Sequence, residues 1–143
     1  MALETAIRNS LKKFRDRKFD WFYIAVDAHE TFIRPTYNSN APFEFVNDDA
    51  KTALQFLSNI DEVCLILWTS MWEDDVELLE EWLSSHNIYF QEFNQNQYEE
   101  STEYANFDSK FYFSLLLDDK AGFDPSVDWK TVIREFSSVT VAR

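Results

Sequence analysis

Residues 21–31 read Trp-Phe-Tyr-Ile-Ala-Val-Asp-Ala-His-Glu-Thr, an apolar run that ends on a carboxylate at Asp27. Polar side chains do not alternate with apolar ones in residues 21–26, so both faces of the segment are expected to be buried. That is the pattern of a strand in a parallel sheet covered on its two sides. Residues 63–68, 88–90 and 111–117 repeat it.

Helical spacing fills the intervals. Asn47 stands as an N-cap before Ala50, Ala53, Leu54 and Leu57. Ser70 and Glu73 have capping-box spacing before Val76, Leu79 and Leu83, and Asp128 precedes Trp129, Val132, Ile133 and Phe136. Strand followed by helix, repeated, predicts an α/β fold with right-handed crossovers. Residues 92–109 are polar and poorly periodic, so a loop with at most a short helix is expected there, and residues 139–142 read as a short edge strand.

The chain has 143 residues and 45% hydrophobic content, enough for one domain with its own core. It holds a single glycine where average usage of roughly 7% predicts about ten. A fold built on Gly-rich phosphate loops is therefore excluded, and any ligand must be held in another way. Aromatic residues make up 17%, which assigns much of the core volume to rings.

The formal charge of −13 argues against nucleic acid or an anionic membrane as the main partner and favours a bound cation. Charge is unevenly placed. Residues 1–18 carry Arg8, Lys12, Lys13, Arg15, Arg17 and Lys18 against Glu4 and Asp16, a net 6 − 2 = +4, which leaves −17 for the remainder. The segment reads as a basic amphipathic helix with Leu3, Ile7, Leu11 and Phe14 on one face, docked on a single domain of residues 19–143. Cys64 lies in an apolar run and reads as an inert core thiol; His86 reads as a surface residue. No apolar stretch approaches the ~20 residues of a membrane helix, and the first residues lack the apolar block of a signal peptide, so a cytoplasmic protein without membrane attachment is expected.

In an open parallel sheet, ligands bind beyond the carboxyl ends of the strands, where strand order reverses. Polar residues follow each apolar run: Asp27, His29 and Thr31 after the first, Thr69 and Ser70 after the second, Asp118, Asp119 and Lys120 after the fourth, with Lys110 before it. Singly, each has a structural explanation as a turn, a cap or a solvated acid. Together they fall at one sheet edge and have a coherent chemical use. Asp27 can attack phosphorus if a divalent cation offsets its charge, and Asp118 and Asp119 offer the hard oxygens that Mg²⁺ prefers. Thr69 and the Ser70 N–H can contact phosphate oxygens at a helix N-terminus, and Lys110 can hold the transferring group.

The ordered set D-x-x-x-T, T-S, K and L-L-L-D-D-K-A-G-F-D resembles motifs I to IV of the haloacid dehalogenase (HAD) superfamily of phosphotransferases, over residues 21–125. The resemblance implies a Rossmann-like, three-layer α/β/α sandwich with a mainly parallel sheet and the first strand central. It implies Asp27 as the nucleophile that becomes an aspartyl phosphate, Thr69 and Lys110 as the motif II and III residues, and Mg²⁺ held by Asp27, the His29 carbonyl, Asp118 and Asp119. The family's phosphatases read D-x-D-x-T; here the second Asp, their acid/base, is His29. Imidazole can do acid/base work near neutral pH. The implied function is Mg²⁺-dependent hydrolysis of a phosphomonoester, and the alternative is a HAD-fold binding or regulatory module that lost turnover at His29.

The intervals between these residues leave no room for a cap domain. Residues 28–45 would overhang the nucleophile, with Phe32, Tyr37 or Phe43 at the mouth, and the loop 92–109 is a second candidate lid. Capless members resembling this chain often act on macromolecules or borrow a lid from a partner subunit. No basic residue occurs from Thr52 to Ser109, so Lys110 and a cation, with Arg34 or Lys120, would carry the substrate charge. A small phosphomonoester or a phosphoprotein fits that supply better than nucleic acid.

Overall fold

The computed structural model describes residues 2–17, 20–35, 43–103, 105–107 and 110–141, the last four as backbone. Its elements are α1 (Ala2–Arg17), β1 (Phe22–Asp27), α2 (Asp48–Ser58), β2 (Val63–Trp68), α3 (Glu73–Ser84), β3 (Glu92–Phe93), β4 (Leu115–Leu117) and α4 (Asp128–Val141), with a 3-10 turn at Asp119–Ala121. The four strands form one parallel sheet in the order β3-β2-β1-β4. This is a Rossmann-like α/β fold.

Strand β1 lies inside the sheet, with Ile24 opposite Leu65 on one side and Leu115 on the other. Both its edges and both its faces are covered, which is why Phe22 through Val26 are all buried. The chain leaves β1 toward β2 and β3 on one side and returns to β4 on the other, so strand order reverses between β1 and β4.

The two faces are covered differently. Each α-helix contributes its buried apolar residues to one large cluster that also holds Phe22, Ile24, Val26, Val63, Leu65 and Leu67. The residues of opposite parity, Tyr23, Ala25, Cys64 and Ile66, form a smaller cluster packed against Leu116 of β4 and covered by Phe111, Tyr112 and Phe113 from the connection between β3 and β4. Cys64 is a buried free thiol, pushed up to about 11 by burial and then by the charge of Glu92. Helix α1 buries Ile7, Leu11 and Phe14 and packs on α4. Arg8 extends that contact with an ion pair to the buried Glu135 at 2.9 Å.

Several local expectations are corrected. The strand expected at residues 88–90 begins later, at Glu92, because the Ile88 N–H closes α3 by donating to the Leu83 carbonyl, with Asn87 in the left-handed region at φ 62°. The last expected strand narrows from residues 111–117 to Leu115–Leu117. Residues 139–141 continue α4 and form no edge strand: their β-branched propensity is outweighed by the helix they extend. Asn47 does cap α2, accepting from the Ala50 N–H at 2.8 Å. Ser70 caps nothing, since α3 starts at Glu73 behind Trp72, which offers no side-chain cap. His86 is half-buried, its ring edge-on to Phe45 and Trp82. Among the described residues no helix is long and apolar enough to cross a membrane.

If α1 belongs to the core, Leu11→Ala leaves a cavity under the helix and should lower unfolding free energy by about 2–5 kcal/mol. Urea denaturation with an unchanged slope and a lower midpoint is the expected result. A change below about 0.5 kcal/mol would make α1 a loosely attached arm.

Candidate active site

The site is built where strand order reverses. Asp27 is the last residue of β1, and Asp118 follows β4 directly, so pairing of the two strands brings their carboxylates to one end of the sheet. Asp119 opens the 3-10 turn, which closes on Gly122 at φ 101°. Only glycine takes that conformation without strain, so the chain's single glycine sets the geometry of the turn carrying both acids. Asp27, Asp118 and Asp119 each offer an oxygen within 4.8 Å of the others.

One hydroxyl organises two of them. Thr31 is fully buried, and its Oγ1 lies 3.0 Å from Asp27 Oδ2 and 3.0 Å from Asp119 Oδ1, while accepting from the Asp119 N–H at 3.0 Å. Its carbonyl accepts from the indole N–H of the fully buried Trp129 at 2.9 Å. The turn after β1 is thereby fastened to α4 and to the turn after β4. The Lys120 backbone N–H donates to Asp118 Oδ1 at 2.9 Å.

Burial raises the Asp27 carboxyl to about 7 from an ordinary 3.8; the Thr31 hydroxyl opposes the rise, and the charges of Asp118 and Asp119 add to it. Among the described residues no ion pair neutralises any of the three acids. All-oxygen donors, converging and short of positive charge, fit a hard divalent cation, which would draw Asp27 back to its ionised form. Asp27, Asp118 and Asp119 are the side chains that would hold it.

A cavity of about 300 Å³ beside this cluster is lined by Asp27, His29, Glu30, Thr69, Ser70 and Lys120, with Pro35 at its edge. The structure thus brings Asp27, His29, Thr69, Ser70, Asp118 and Asp119 to one place. Lys110 is elsewhere: it lines a second cavity, its Nζ 5.7 Å from the Phe113 ring centroid. Lys120 is the cation of the first cavity. The Thr69 N–H donates to Asn94 Oδ1 at 2.9 Å, and Ser70 lies three residues before α3, so these two residues line the cavity ahead of the helix and not at its N-terminus. Arg34 pairs with Glu44 at 3.3 Å. Of the expected mouth residues, Phe32 is fully buried and stacked on Phe90, Phe43 packs against Trp82, and Tyr37 lies outside the described residues.

In the sequence Thr31 is marked only by its interval of four residues from Asp27. The Trp129 contact left no trace in sequence, because it spans |i−j| = 98.

No family model matches the sequence, and no curated protein matches it. A solved structure is similar: that of a conserved protein coded by a locus of Bacteroides thetaiotaomicron. It covers 82% of this chain and 91% of its own, with 24% identity and a TM-score of 0.62. The likeness extends to the fold.

The folded chain holds the Asp27 proton more tightly than the unfolded chain does. Stability from this group is therefore complete below pH 3.8 and is lost as pH rises towards 7. In chelator, Asp27→Asn should be more stable than the native protein near pH 8, with the advantage shrinking towards about pH 4. Urea midpoints at the two pH values check this, and a gap independent of pH would contradict it.

Proposed function

We propose that this protein is a HAD-like, Mg²⁺-dependent phosphohydrolase that acts on a phosphomonoester through an aspartyl phosphate on Asp27. One observation carries the reading: three carboxylates from the ends of β1 and β4 converge within 4.8 Å, with the half-buried Asp27 lining a cavity that is also lined by His29 and Lys120. Convergence of this kind costs stability, as the raised Asp27 carboxyl records, and a cation offsets that cost.

Bound Mg²⁺ would supply charge neutralisation for the carboxylates and the phosphoryl oxygens. The chain's own groups do the rest. Ionised Asp27, oriented by the Thr31 hydroxyl, attacks phosphorus through one carboxylate oxygen; the bond from phosphorus to the ester oxygen breaks, and protonated His29 gives its proton to the departing alkoxide. Water then attacks the phosphorus of the aspartyl phosphate. Neutral His29 takes its proton, the bond to the Asp27 oxygen breaks, and inorganic phosphate leaves. Lys120 places a positive charge on the cavity wall for the phosphoryl group.

His29 also defines the second reading, a binding module that keeps the cation and does not turn over. Phosphate release from an aryl phosphate with Mg²⁺ separates the two. The native protein should release phosphate, chelator should abolish release, and Asp27→Asn should lower the rate by about a thousandfold or more. A silent native protein with an active His29→Asp variant would establish the binding module, and activity untouched by Asp27→Asn would remove Asp27 from the chemistry.

A further inference from the structure

The sheet face away from the helices carries a second and larger cavity, of about 660 Å³, within the range of pockets that enclose a small organic molecule. Its wall is aromatic. Trp68, Phe107, Phe111 and Phe113 line it together with Leu116. The Trp68 and Phe111 rings lie 5.5 Å apart, tilted at 57°, and the Phe111 and Phe113 rings 5.9 Å apart, edge to face at 61°, a connected bank of rings that offers both faces and edges. Such a bank favours a flat ring over an aliphatic group of equal size.

Charge selects further. In a chain of net charge −13, the described residues lining this cavity include one ammonium, Lys110, and no carboxylate. Lys110 is exposed, with Nζ near the Phe113 ring, so a ring seated on the aromatic wall would meet its charge. Carboxamides complete the rim. Asn94 and Asn96 are committed to the backbone, at Thr69 and at Tyr98 and Tyr112, and Gln95 to Glu92; the Gln97 backbone N–H donates to Glu92 Oε1 at 3.4 Å, and its side-chain carboxamide has no partner among the described residues.

The two cavities are neighbours. Asp27 and Trp68 are register partners on adjacent strands, about 4.8 Å apart, and Thr69, one residue beyond Trp68, lines the Asp27 cavity. Asn94 joins them: it lines the aromatic cavity and clamps Thr69 through both backbone groups, at 2.9 and 2.6 Å.

We propose that this cavity binds a planar aromatic or heteroaromatic group bearing an anionic substituent, with Lys110 as the residue that selects the charge. Its assignment as the leaving-group portion of the phosphomonoester rests on the function proposed for Asp27. Binding and turnover test the two parts separately. In calorimetric titration, naphthalene-2-sulfonate should bind at least about tenfold tighter than cyclohexanesulfonate or 2-naphthol. Lys110→Met should weaken it about fivefold, and Lys120→Met should not. Equal affinity for the three probes, or a loss on Lys120→Met in place of Lys110→Met, would overturn the cavity. In the turnover arm, 6-sulfo-2-naphthyl phosphate should exceed cyclohexyl phosphate in kcat/KM, with the preference reduced in Lys110→Met. Selective binding with no turnover of either ester would leave the cavity standing and overturn its link to Asp27 chemistry. Turnover without preference would overturn the cavity's role and leave the Asp27 reading intact.

Discussion

Strand β1 is hydrogen-bonded along both edges and buried on both faces, and most of the molecule follows from that position. A backbone so placed has its polar groups satisfied by β2 and β4, so its side chains from Phe22 to Val26 can all be buried, with the Tyr23 hydroxyl donating to Glu99 Oε1 at 3.0 Å. The first charged side chain it presents is the one at its carboxyl end. Asp27 is there because the strand stops there, and Asp118 is beside it because β4 runs parallel and in register. The site is a consequence of sheet topology before it is a consequence of loop design.

Placing three carboxylates at that end opposes folding, and the surrounding contacts show what holds them. Thr31 links Asp27 to the backbone and side chain of Asp119, and Trp129 fixes the Thr31 carbonyl from a helix that begins after the acidic turn. Trp129 in turn sits in the cluster to which α1, α2, α3 and α4 all contribute. Core packing thus stabilises the chain against electrostatic repulsion at one of its edges, and the basic helix α1 is part of that packing through Ile7, Leu11 and Phe14.

The α/β pattern was legible because it rests on runs of buried residues, which composition along the chain records directly. Helix α2 was legible to its cap at Asn47. What failed was local competition. Ile88 has the apolar character of a strand but spends its N–H on closing α3, and residues 139–141 have strand propensity but lie in the continuation of a helix. The three acids were legible from their place after the apolar runs. Lys110 was set beside them by motif order alone, and the structure places it on the aromatic face, where its distance from the acids depends on the path of the connection between β3 and β4. That path has no periodicity to read. Thr31 and Trp129 depend on contacts across most of the chain, and no local pattern encodes such a pair.

The two faces of the sheet bear differently on how so acidic a chain would meet the anionic ligand proposed for it. Helices cover one face, where α3 opens on Glu73, Asp74 and Asp75 while α1 ends on Arg15 and Arg17. The other face is covered by aromatic rings from residues 107–113 and, among the described residues lining its cavity, carries only the positive charge of Lys110. Charge falls off over roughly a Debye length of 8–10 Å in salt, so a ligand approaching that face experiences its near wall more than the distant net charge. Along that wall a ring would meet aromatic side chains and the ammonium of Lys110. Under the proposed function the same ligand would extend to Asp27 at the end of the sheet, where Lys120 lines the neighbouring cavity.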